Sequence, residues 1–122
     1  MLGANTLVTH TTTATTFVNT GSLTLGNDAS DSLSFAGGLT ATAPSGISLA
    51  GHISTSGTAA MTLGDGGVVA PTALTLSKDV LLSTAGGALT VNGAVYGTGV
   101  STESLSLDAT SAGVVSVTGV VG

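Results

Sequence analysis

Along this chain a three-residue token keeps returning, in which a small polar residue is flanked by two apolar ones. It stands at Leu23-Thr24-Leu25, Leu33-Ser34-Phe35, Ile47-Ser48-Leu49 and Met61-Thr62-Leu63. It continues at Leu74-Thr75-Leu76, Leu89-Thr90-Val91, Leu105-Ser106-Leu107 and Val115-Ser116-Val117. An apolar–polar alternation with period two places one face of an extended segment against a core and the other in water. Each token therefore predicts a short, half-buried β-strand. Helical spacing of apolar residues is missing, and the abundant Gly, Thr, Ser and Val are indifferent or poor helix formers.

Gly, Asn or Asp follows most tokens, and a second apolar pair often comes next. The segments LSFAGGLTAT, ISLAGHISTSG, LTLSKDVLLSTAGG and LTVNGAVYGTG each read as strand, small-residue bend, strand. Such residues accept tight or left-handed backbone geometry at little cost. Tokens at Leu33, Met61, Leu89 and Val115 follow one another at about 28, 28 and 26 residues. Those at Leu23, Ile47, Leu74 and Leu105 interleave with them at about 24, 27 and 31. A repeat distance of this size is the signature of a solenoid. If each coil takes one token from each series, the chain makes about four to five coils of a parallel β-helix. With strands about 4.8 Å apart, the body is on the order of 20 Å long. Crossover connections between parallel strands are nearly always right-handed, so a right-handed helix is expected. A β-sandwich of short strands is the competing architecture. The stretches Ala29–Asp31 and Val100–Ser104 interrupt the repeat and leave the coil register open there.

Composition explains why such a fold is needed. The 122 residues suit one domain, and 6% of them are charged, against roughly 25% in an average soluble domain. Phe17, Phe35 and Tyr96 are the only aromatic residues, so many small and medium side chains must pack in a regular way. Stacked coils do this, because like residues of successive turns interdigitate on pleated strands. No run is apolar enough for a membrane helix, and the aromatic girdles of a membrane barrel are missing. The first 20 residues show no secretion signal, so Met1 is expected to be a fragment start, with any export signal elsewhere in a longer parent. One cation, Lys78, stands against six acids, for a net charge of −5. Binding to phosphates needs clustered Lys and Arg, which argues against nucleic acid and anionic membrane surfaces as partners. The absence of Cys removes a disulfide scaffold and leaves the compartment open.

Segments such as LTVNGAVYGTG, SLTLGND and SLSLDATSAGVVSVTGVVG resemble the repeats of filamentous-haemagglutinin-like adhesins, and still more the β-strand repeats of giant bacterial surface proteins. The resemblance runs from about Gly21 to Gly122, and the opening LGANTLVTHTTTATTFVNTG resembles the start of a repeat unit. It implies a right-handed parallel β-helix projecting from a bacterial cell, with residues 1–122 forming a single solenoid segment cut from a longer array. It carries over no catalytic, cofactor or metal-binding residue, because the motif is architectural.

His10 and His52 are the only histidines, and His52, in Gly51-His52-Ile53, is expected to point outward at a bend. A general base needs an orienting carboxylate and a nucleophile within reach, and Ser is too common here for one near a His to signify. Polysaccharide hydrolases on β-helices need paired carboxylates. Asp28, Asp31, Asp65, Asp79, Glu103 and Asp108 are instead spread along the chain as turn acids. Asn27-Asp28 with Asp31, and Gly64-Asp65-Gly66-Gly67, faintly resemble calcium-binding turns, but the repeated nonapeptide is missing and turn-forming Asx residues explain them better. Ice binding by ranks of Thr-x-Thr has Thr11-Thr12-Thr13 and Thr40-Ala41-Thr42 to start from. The later coils carry Ser, Gly or Val, so no regular rank is expected.

The sequence thus points to a non-enzymatic structural and interaction module, a stiff rod or fibre segment of a secreted or cell-surface bacterial adhesin. Its expected partners are copies of itself or neighbouring repeats stacked end to end, and a host or cell-surface glycan or protein. A glycan- or ice-binding face is the alternative. No polar cap is visible at Leu7-Val8 or over Val114–Val121, so the ends are expected to stack.

Overall fold

The computed structural model describes residues 7–10, 13–67, 71–99 and 102–122, with residues 7–10 described by their backbone alone. Alternating side chains and frequent small residues give short strands that each bury one face. The strands are β1 (Leu7–His10), β2 (Thr15–Thr16), β3 (Ser22–Leu25), β4 (Ser32–Phe35), β5 (Leu39–Ala41) and β6 (Gly46–Ser54). They continue as β7 (Met61–Leu63), β8 (Ala73–Ser83), β9 (Leu89–Val91), β10 (Ala94–Gly97), β11 (Leu105–Asp108) and β12 (Val115–Val117). Among the described residues every pairing is parallel, and the strands stack as an all-β solenoid of about four turns without a helix. The antiparallel pairing of a sandwich is not found among them.

Each full coil has three strand positions, not the two that the token series suggest. The first face stacks Leu23, Ile47, Leu74 and Val95, with Val121 bridging onto Val95. The second aligns Val8, Leu33, Ile53, Leu82 and Leu107. The third aligns Thr15, Leu39, Met61, Leu89 and Val115. Two tokens therefore change column. Leu33 lies under Ile53 on the second face, whereas Met61 belongs to the third face above Leu39. Leu105 lies over Val80 on the second face, and Val95 takes the place on the first face that spacing alone gives to Leu105. Connections of unequal length between the first two faces cause both shifts, because an inserted residue moves the count without moving the column.

Two expected bends are also not breaks. β6 and β8 each run through the first and second faces as one strand, and their mutual register slips between Leu49 and Gly51. A bulge of this kind turns the strand while most ladder hydrogen bonds survive on either side. In the coil before, the same edge is a loop spanning residues 26–31, and in the coil after it opens again between Gly97 and Leu105. The irregular stretch Ala29–Asp31 is thus a length variant of this edge, whereas Val100 and Ser101 of the second irregular stretch lie outside the described residues.

The core is one aliphatic column. Leu25, Leu33, Leu39, Leu49, Ile53, Met61, Leu63, Leu74, Leu82 and Leu89 are buried, and Phe35 packs edge-on against Phe17 near the N-terminal coil. That ring pair, with centroids 6.2 Å apart, contributes about 0.5–1.5 kcal/mol beyond its buried area. Tyr96 lies outside the core.

Candidate functional site

Among the described residues most polar groups that enter the interior do so where the chain turns and are paired there, whereas the Thr15 hydroxyl of β2 is buried without a hydrogen-bond partner. Between the second and third faces the Thr55 hydroxyl donates to the Ala59 carbonyl at 2.8 Å, and the Thr84 hydroxyl donates to that of Gly87. Between the third and first faces Thr72 donates to the Pro44 carbonyl and accepts the Asp65 N–H. Thr55, Thr72 and Thr84 are buried, so these bonds replace water for groups that would otherwise lose it. Nothing in a Thr-rich sequence marks these three as interior.

The edge between the first and second faces carries most of the charge. Asp28 and Asp31 lie in its first loop, Lys78 and Asp79 in the β8 bulge, and Glu103 in the last connection. Asp31 is 1% exposed, and its Oδ2 accepts the N–H groups of Asn27 and Asp28 at 2.8 and 3.1 Å. Its carbonyl accepts the His52 N–H of the next coil. It therefore ties the loop together and ties it to the coil above. Asp31→Ala should lose about 1–3 kcal/mol by stranding two amide donors, whereas the exposed Asp65→Ala should lose less. Urea unfolding of both variants checks the order.

The other acids are turn residues. Ser30 donates its N–H and its hydroxyl to Asp28, which holds that carboxyl below the usual carboxylate range. The Thr98 hydroxyl, 2.6 Å from Glu103, does the same there, and Gly99 N–H adds a further bond. Asp79 accepts both the N–H and the hydroxyl of Ser104, and Asp65 accepts the Gly67 N–H. Asp28 and Asp65 thus form Asx-type turns with donors two residues on, whereas Asp79 reaches across to Ser104 of the next coil. Among the described residues no group of three His, Asp or Glu side chains is placed to hold a metal.

His52 follows the β6 bulge and is half-buried on the outer side of the second face, with Nε2 2.7 Å from Ser83 Oγ. Among the described residues no carboxylate joins the ring to orient it. The pair makes a hydrogen bond between coils and lacks the third member that would bias a base. The His10 side chain lies outside the described residues.

A feature that the sequence hides emerges on the third face. Thr16, Thr40, Thr62, Thr90 and Ser116 are in register, one per coil, on its outer side. The expectation concerned ranks of Thr-x-Thr, and the line formed here is one hydroxyl wide. The linear spacing between these residues varies, so the alignment is invisible until the coils are stacked. It is a single rank, because each third-face strand has one outward residue between two inward ones.

The C-terminal coil is open. Val115 and Val117 point along the core columns but are exposed, as are Val114, Val120 and Val121, and Leu105 and Leu107 are only half-covered. Among the described residues no strand pairs with the outer edges of β11 and β12. The uncharged stretch Val114–Val121 thus carries exposed valines on the last described coil, while the side chains of Leu7 and Val8 lie outside the described residues.

These features define the class, an all-β parallel solenoid of about four turns. Compared with known protein families, with characterised proteins and with solved structures, the chain matches none.

Proposed function

We propose that this chain is a non-catalytic rod segment, a spacer or stalk module of a bacterial surface or secreted adhesin of the filamentous-haemagglutinin-like kind. The observation that carries this reading is the unbroken aliphatic column that reaches the open C-terminal coil, where Val115 and Val117 continue it into solvent. Parallel ladders resist shear because each coil hydrogen-bonds to the next along its length. Low charge suits a body of stacked like positions, since charged ladders at about 4.8 Å would repel. Sequence resemblance to adhesin repeats supports the bacterial-surface setting.

A chain with three tandem copies tests it by small-angle scattering. The expected particle is a rod about three times the length of one copy with an unchanged cross-section, and its unfolding midpoint rises with copy number. Three beads joined by flexible links would overturn the reading.

The threonine rank favours a second reading, a binding face for ice or glycan. Hydroxyls repeated at about 4.8 Å present a regular lattice of donors and acceptors. Thermal hysteresis or glycan binding by the isolated segment would promote this reading over the rod.

A further inference from the structure

We infer that the open C-terminal coil takes the N-terminal coil of a second copy of this chain, with β1 of that copy on β11 and β2 on β12. This rests on the rod reading and names its partner and register. The argument is one of phase. A coil visits the first, second and third faces in turn. At the N-terminal end the first described strand, β1, stands on the second face, and β2 follows on the third. At the C-terminal end β11 and β12 complete the second and third faces, and Val121 has entered the first. A copy placed on top therefore meets the chain at the face where its own path begins, so no face is skipped or doubled.

The edges also match in kind. Among the described residues β1 pairs only with β4, β2 only with β5, β11 only with β8 and β12 only with β9, so each has one unused edge. All four belong to parallel ladders running in one sense, so a stacked copy continues them without reversal. Register extends as it does inside the molecule, with Thr16 of the upper copy on Ser116 of the lower and Thr9 at the position over Asp108. No charged residue lies between Thr110 and Gly122 to oppose the contact. The exposed Val115 and Val117 would be covered as Leu89 and Val91 are covered now.

Disulfide trapping tests the register, and the native chain has no cysteine to interfere. Neighbouring in-register residues of stacked strands lie about 4.8 Å apart, within disulfide reach. Ser116→Cys protein mixed with Thr16→Cys protein should give the mixed disulfide at least about tenfold faster than Ser106→Cys mixed with Thr16→Cys, because stacking raises the effective concentration of the matched pair. Val117→Lys, which puts a charge on the column at the open edge, should abolish the excess while leaving circular dichroism unchanged. Equal rates for matched and mismatched pairs would overturn the inference, as would trapping that survives Val117→Lys. The tandem-copy rod does not depend on association between separate chains. A rigid rod without trapping therefore refutes this inference alone, and flexible beads refute the rod reading.

Discussion

Gly93→Ala should unfold or severely weaken the solenoid, with a loss of more than about 3 kcal/mol in urea titrations. Gly93 follows Asn92 at the corner leading from β9 into β10, with φ at +99°. A Cβ there would run into the backbone carbonyl of Thr72 in the coil below. Left-handed geometry alone costs a side chain roughly 1–2 kcal/mol, and the collision is with backbone that cannot swing aside. Relief would require the coils to separate at this corner, where Val95 begins the next inward position. Gly57 supplies the comparison. Its φ is +59°, yet nothing lies within 4 Å of an added Cβ, so Gly57→Ala should lose only about 1 kcal/mol. Similar losses for the two variants would mean that coil spacing at the corner is looser than the structure has it.

Leu82→Ala should be the most damaging single truncation on the second face, at about 2–5 kcal/mol. Leu82 is fully buried between Ile53 below and Leu107 above. Stacked coils hold each other at fixed spacing, so the column has little freedom to close over the missing methyl groups, and a cavity remains. Leu107→Ala removes the same atoms from a half-covered site on the last coil, and the loss there should be about 1 kcal/mol. Denaturant titrations at low concentration separate the two. If Leu107→Ala were as costly as Leu82→Ala, that position would be covered in solution, as a stacked copy would make it.

The candidate surfaces differ in how far the sequence announces them. The open end was legible, because Val114 to Val121 offers apolar residues with no charge to cap them, and the structure leaves Val114, Val120 and Val121 more than half exposed. Asp28 and Asp65 were legible as turn acids from their Gly, Asn and Ser neighbours. Asp31 was not: the same composition gives no sign that one of these carboxylates is buried and holds two amides of its own loop. The threonine rank was missed for a different reason. Thr16, Thr40, Thr62 and Thr90 each sit in an ordinary strand context, and their common line appears only when register is known.

By itself the sequence determined that the chain is all-β and which side of each apolar–polar token faces the core. Period-two alternation fixes the side of each token residue, and the repeat distance favours stacked coils over a sandwich. Which strand lies over which was decided by the tertiary structure alone. Every inward column carries much the same aliphatic chemistry, so Leu33 reads equally well below Ile53 or in the column of Met61. The choice depends on how many residues each corner absorbs, in loops such as 26–31 or bulges such as that between Leu49 and Gly51. Those lengths are set by backbone geometry and hydrogen bonds at the edge, which local alternation does not encode.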